Sequence, residues 1–292
     1  MKTRQAFSIL VWTTAILAWI SACVPLNATE SLPAPTAEST PRQIESTRVP
    51  STRVPSTPTA QLCLEKHGSV AQIPFDSVAL PQFQLYLPPC YDFESETRYP
   101  VLYLLHGANF TDAQWIRLGI PRAADALIAA EEIPPLIIVM PYDKYSTRLI
   151  DEDDFGNVLI NDLLPYIDSQ YRTQPEQRAI GGLSRGAGWA IRYGLTRPEL
   201  FRAIGGHSPA IFHQDQAKLD DWLAEIPPEE LPAIYLDAGD RDQEREIGLK
   251  FVEILAQAGV PHEWRLYTGL HNEDYWRAHA EEYLRWYGNA LR

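Results

Sequence analysis

From about residue 63 onward, apolar runs of strand length alternate with amphipathic stretches of helix length. Phe83-Gln-Leu-Tyr-Leu87 alternates as a half-exposed strand does. Val101-Leu-Tyr-Leu-Leu105 and Leu136-Ile-Ile-Val-Met140 are continuously apolar, the pattern of strands buried on both faces of a parallel sheet. Ala179-Ile180, Ala203-Ile204, Ile234-Tyr-Leu236 and Trp264-Arg-Leu-Tyr267 are shorter candidates. Helical spacing puts Ile247, Phe251, Leu255 and Ala258 on one face, and Trp276, Ala280, Leu284, Tyr287 and Leu291 on another. A further helix covers Asn161–Asp168 and ends before Arg172-Thr-Gln-Pro175. The alternation predicts an α/β chain with one doubly wound, mostly parallel sheet over residues 63–292.

The pattern stops upstream of that point. Residues 24–60 are rich in Pro, Ser, Thr and Ala and contain the direct repeat Ser46-Thr-Arg-Val-Pro50, Ser51-Thr-Arg-Val-Pro55. So few large apolar groups cannot offset the entropy of ordering, and a flexible tether over residues 23–62 is expected. Before it, Lys2 and Arg4 precede the apolar stretch Phe7–Ile20 and the ending Ile20-Ser-Ala-Cys23. Residues 1–22 read as a secretory signal whose ending resembles a bacterial lipobox. Cys23 would then be diacylated, anchoring an extracytoplasmic protein to a membrane or cell surface; the alternative is an uncleaved membrane anchor. The remaining cysteines, Cys63 and Cys90, are expected to pair in an oxidising compartment. That bond would stabilise the fold by about 3–4 kcal/mol on the chain-entropy model. Two separate buried thiols are the alternative.

Composition narrows the partners. The chain has 292 residues and a formal net charge of -13, without the clustered Lys and Arg that phosphate binding requires. Nucleic acid is excluded on that ground. An acidic body also adsorbs poorly to anionic lipid, so membrane attachment would run through the acyl chains only.

The sharpest chemical signal is Gly182-Leu-Ser-Arg-Gly186, a G-x-S-x-G nucleophile elbow between a short strand and a helix that Pro198 closes. A strand that turns into a helix within two residues presents Ser184 Oγ above the sheet, at the positive end of the helix. It also leaves no room for side chains at the flanking glycines. Acyl transfer further needs N–H donors aimed at the developing oxyanion. The N–H of Arg185 is one candidate. The other comes from the turn after Val101–Leu105, in His106-Gly-Ala108, where Ala108 is favoured over Gly107. His106 itself reads as a structural ring of that turn.

The base must follow Ser184, with an acid between them in chain order. Of His207, His213, His262, His271 and His279, only His271 falls between a closing strand and the last helix. His207, at the same sheet edge, is its rival. For the acid, Ile234–Leu236 runs into Asp237-Ala-Gly-Asp-Arg-Asp242, in which Asp242 is preferred and Asp240 is the alternative.

Arg98-Tyr-Pro-Val-Leu-Tyr-Leu-Leu-His-Gly107 and Gly181-Gly-Leu-Ser-Arg-Gly186 resemble the esterase family of α/β-hydrolases that includes esterase D, enterochelin esterases, feruloyl esterase domains and mycolyltransferases. The resemblance runs from about Cys63 to the C-terminus. Its Gly-x-x-Asp pattern falls on Gly239-Asp-Arg-Asp242, and its Gly-x-His pattern on Gly269-Leu-His271. It implies a serine carboxylic-ester hydrolase acting on a small-molecule or carbohydrate-linked ester, without metal or organic cofactor. An acyltransferase using the same three residues is the alternative, and a non-catalytic surface-binding lipoprotein a more distant one. Asp151-Glu-Asp-Asp154 is expected to be an acidic loop capping the helix near Phe155 rather than a calcium site. Trp115 and Tyr142 follow strand ends, where they would either line an acyl pocket or pack.

Overall fold

The computed structural model describes residues 67–292. The proposed signal sequence, Cys23, the tether and Cys63 lie outside them. Eight strands form one sheet in the order β1-β2-β4-β3-β5-β6-β7-β8. They are β1 (Ser69–Pro74), β2 (Gln82–Leu87), β3 (Tyr99–Leu105), β4 (Ile137–Pro141), β5 (Thr173–Leu183), β6 (Ala203–His207), β7 (Ala233–Gly239) and β8 (Glu263–Tyr267). β1 and β2 pair antiparallel, as do β2 and β4, and every pairing from β4 to β8 is parallel. This is the doubly wound α/β architecture that the apolar pattern predicts.

Helices cover both faces. On one lie α1 (Ile120–Ala129) and the long C-terminal helix α6 (Glu273–Ala290), packed through Ala124, Leu127, Tyr283 and Leu284. On the other lie α2 (Leu164–Gln170), α3 (Arg185–Thr196), α4 (Leu219–Glu225) and α5 (Arg245–Gln257), packed through Leu164, Ala190, Leu223 and Phe251. The continuously apolar strands β3 and β4 are buried at every position, as two covered faces require. Among the described residues, no helix is long and apolar enough to cross a membrane.

Three elements depart from the sequence pattern. β5 begins at Thr173 rather than near Ala179, because Thr173 already pairs with Tyr99; the polar run Gln174–Gln177 bulges out before pairing resumes at Val101 and Arg178. β1 carries no readable signal, being an exposed edge strand held by main-chain pairing to β2. The helix expected over Asn161–Asp168 is composite: a turn at Phe155–Val158, a π-helical turn at Leu159–Leu163, then α2.

Parallel pairing fixes what matters for chemistry. Leu105 stands opposite Gly182, Leu183 opposite His207, His207 opposite Asp237, and Gly239 opposite Tyr267. The loops after β3, β5, β6, β7 and β8 therefore leave from one edge of the sheet. In such a sheet that carboxyl edge is where ligands bind.

Candidate active site

Ser184 joins β5 to α3 with φ 55° and ψ −121°, a left-handed conformation that costs a serine about 1–3 kcal/mol. The flanking glycines are steric necessities. A Cβ at Gly182 would lie 2.3 Å from the Gly186 carbonyl carbon, and one at Gly186 would lie 2.3 Å from the Leu105 carbonyl oxygen. The elbow is held from β6, where the Ser184 N–H donates to the His207 carbonyl at 2.9 Å.

His271 lies in the loop between β8 and α6, one residue before the N-cap Asn272, whose side chain accepts the Tyr275 N–H at 3.1 Å. Its Nε2 stands 2.9 Å from Ser184 Oγ, and its Nδ1 stands 2.9 Å from Asp242 Oδ1. With Nδ1–H donating to the carboxylate, Nε2 is left to accept the serine proton. Trp276 meets the imidazole edge-on, with ring centroids 5.1 Å apart.

Asp242 is buried after β7, and its Oδ1 also accepts the Glu244 N–H at 2.7 Å. Burial would raise this carboxyl. Interactions with His271, Ser208 and the Glu244 N–H outweigh it and hold Asp242 below its ordinary value. The other oxygen, Oδ2, has no partner at hydrogen-bonding distance. Asp240, the competing acid, turns elsewhere: its Oδ1 accepts the Gly269 N–H at 2.9 Å, and its own N–H donates to the Tyr267 carbonyl at 2.7 Å. It clamps the loop carrying Asp242 to the loop carrying His271.

Two other histidines are accounted for by their contacts. His207 is fully buried, with Nδ1 2.7 Å from Asp237 Oδ1 and Nε2 3.0 Å from the Tyr287 hydroxyl, on the face covered by α6. His106 is buried too. Its Nδ1–H donates to the Gly107 carbonyl at 2.7 Å, its Nε2 accepts the Asp143 N–H at 2.9 Å, and burial lowers its pKa to about 4.

Around Ala108 the turn after β3 is tied down residue by residue. The Gly107 N–H donates to Gln114 Oε1 at 2.9 Å, that of Asn109 to Ser146 Oγ at 3.2 Å, and that of Phe110 to the Gly107 carbonyl at 3.2 Å. The Ala108 N–H has no partner among the described residues, and Ala108 lines two clefts beside Ser184. This favours Ala108 over Gly107 as a free donor. The Arg185 N–H opens α3, where the first N–H groups of a helix have no intrahelical acceptor. Its guanidinium is fixed by Asp143 at 3.1 Å and Asp153 at 2.6 Å. Burial, then the charge of Asp143, pushes the Asp153 carboxyl upward.

One cleft, of about 500 Å³, runs past Ser146, Thr147 and Ala210–Phe212; the other, of about 320 Å³, runs past Phe110, Gln243, His271 and Trp276. Neither takes in Trp115 or Tyr142. Trp115 is fully buried, donating its Nε1–H to the Leu105 carbonyl at 3.1 Å, and Tyr142 packs on His106. In the acidic loop, the Phe155 N–H is taken by Asp153 at 3.0 Å rather than by the N-cap residue Asp154. No group of three or more His, Cys, Asp or Glu among the described residues is placed to hold a metal ion. Gln114, Asp143, Ser208 and Gln243 carry no sequence signal, since each acts through contacts made only by folding.

The sheet order and the serine elbow define an α/β-hydrolase. The family model described as "Putative esterase" matches residues 80–287, and the chain belongs to that esterase family. An endo-1,4-beta-xylanase/feruloyl esterase of Xylanibacter ruminicola is 32% identical over 235 residues, covering 75% of this chain and 30% of that protein. The chain spans about a third of the length of the curated relatives it matches. A solved ferulic acid esterase superposes with a TM-score of 0.68 at 25% identity, over 77% of this chain and 98% of its own. The S-formylglutathione hydrolase of Staphylococcus aureus superposes with a TM-score of 0.65 at 20% identity, over 76% and 97%.

Proposed function

We propose that this chain is a serine carboxylic-ester hydrolase in which Ser184 is the nucleophile, His271 the general base and acid, and Asp242 the orienting acid. The observation that carries the reading is the unbroken line from Asp242 Oδ1 through His271 to Ser184 Oγ, with both steps at 2.9 Å, opening onto two clefts. His271 takes the serine proton as Oγ attacks the ester carbonyl. The N–H groups of Ala108 and Arg185 receive the oxyanion, each lowering the barrier by roughly 3–4 kcal/mol. His271 returns the proton to the leaving alcohol, then activates water to release the acid from Ser184. Asp242 holds the tautomer and stabilises the imidazolium.

The substrate class we propose is a small-molecule or carbohydrate-linked ester, with aromatic acyl esters first among those to try, given the feruloyl esterase relatives. The larger cleft opens to solvent, which gives water a route to the acyl-enzyme. We further propose the lipid anchor at Cys23, the Cys63–Cys90 disulfide and an extracytoplasmic location, on the sequence features given above. The test is turnover across p-nitrophenyl, feruloyl and acetyl-sugar esters, with fluorophosphonate labelling of Ser184. Absence of both turnover and labelling would remove the esterase reading.

A further inference from the structure

Ser208 is a polar residue in an unusual place. It follows β6 directly, is fully buried, and has φ 52°, a left-handed backbone that glycine adopts without strain. Its N–H donates to the Asp237 carbonyl at 2.8 Å, and its Oγ accepts the Trp276 Nε1–H at 3.0 Å. The Trp276 ring in turn packs edge-on against His271. With the Trp276 N–H on its oxygen, the Ser208 hydroxyl keeps a proton that has no other acceptor at hydrogen-bonding distance among the described residues. Ser208 is among the groups that hold the Asp242 carboxyl below its ordinary value, and Asp242 Oδ2 is a buried oxygen without a hydrogen-bond partner. A buried donor lacking an acceptor and a buried acceptor lacking a donor thus belong to neighbouring side chains.

We infer that Ser208 is a positioning residue that closes a ring of four side chains, His271–Asp242–Ser208–Trp276, around the base. The inference rests on the esterase reading. Asp242 is held on one oxygen by His271 and the Glu244 N–H, and Ser208 supplies the restraint on the other. The same hydroxyl fixes Trp276, and so the wall against which the imidazole turns. Geometry of this kind matters most when His271 becomes cationic, because the carboxylate must then not rotate away.

Ser208→Gly separates this role from a structural one, because glycine relieves the positive φ while deleting the hydroxyl. Relief of the positive φ and loss of the acceptor for the buried Trp276 Nε1–H oppose each other, so the melting temperature should shift little, and kcat is read per folded molecule. kcat should fall about tenfold, the scale of one hydrogen bond to a charged group, with KM held within about twofold. Trp276→Phe keeps an aromatic ring at the position and removes the N–H. It should lower kcat by itself and add little in the Ser208→Gly background, since both break the same ring. Wild-type kcat in Ser208→Gly overturns the inference, and so does a loss of kcat that only follows a loss of folded protein. If the wild type neither turns over esters nor takes a fluorophosphonate on Ser184, the esterase reading fails instead.

Discussion

The Tyr287 hydroxyl stands 3.0 Å from His207 Nε2, reaching it through space that Gly181 and Gly205 leave open. A Cβ on either would lie within 1.8 Å of that oxygen. His207 is thereby tied to α6 and to Asp237, which also accepts the Tyr275 and Tyr283 hydroxyls at 2.6 and 2.8 Å. Since the His207 carbonyl holds the Ser184 N–H, the buried polar cluster beneath the sheet edge also supports the elbow. In the tautomer that donates Nδ1–H to Asp237, Nε2 accepts a hydrogen bond from the Tyr287 hydroxyl. Tyr287→Phe strands that nitrogen in a dry core and should cost about 1–3 kcal/mol in urea unfolding. Turnover per folded molecule should stay near wild type.

The acid assignment is tested by a pair of variants. Asp242→Asn should lower turnover about 10⁴-fold by favouring the wrong imidazole tautomer. Asp240→Asn keeps an oxygen for the Gly269 N–H and should be mild. The opposite ranking would move the role to Asp240. Ser184→Ala should remove about 10⁶ in turnover while leaving the fold intact.

How far the sequence reaches is clear from these residues. Glycines at 182 and 186 announce the elbow, because a local turn dictates them, and apolar runs announce β3 and β4. His207 is ambiguous in sequence, since it shares the edge and the chain order that a base requires. The packing of Tyr283, Tyr235, Tyr287 and Trp115 around it, with ring centroids 3.6 to 6.0 Å away, removes it from solvent. Ser208 and Gln114 are silent for the same reason. Their partners lie 68 and 7 positions away and meet them through loop geometry rather than through any repeat.

His106 makes stability depend on pH. Burial lowers its pKa from 6.5 to about 4, so below pH 6.5 the unfolded chain binds a proton that the folded chain refuses. Stability from this ring is fully present above pH 6.5 and is lost as pH falls towards 4, by up to about 3 kcal/mol. Denaturant unfolding at pH 7, 5.5 and 4.5 reads the slope. His106→Gln should flatten it, and an unchanged slope would assign the acid sensitivity to other groups.

The last prediction concerns the loop that offers the Ala108 N–H. Gln114 is fully buried, and its Oε1 accepts the Gly107 N–H at 2.9 Å, while Trp115 beside it donates its Nε1–H to the Leu105 carbonyl at 3.1 Å. Adjacent side chains thus grip the peptides on both sides of His106, and Gln114 sets the plane of the His106–Gly107 peptide, one before the peptide that carries the Ala108 N–H. In Gln114→Leu, the Gly107 N–H is left unpaired in a dry site, which costs about 1–3 kcal/mol unless the peptide turns to find another acceptor. Such a turn would swing the Ala108 N–H away from the oxyanion position. Losing one such donor costs about 10²–10³ in kcat, so a partial misalignment should cost about 10–10², with KM little changed. Stopped-flow measurement of acylation should show the loss in that step. A Gln114→Leu enzyme that acylates at the wild-type rate would mean that Ala108 keeps its orientation without Gln114.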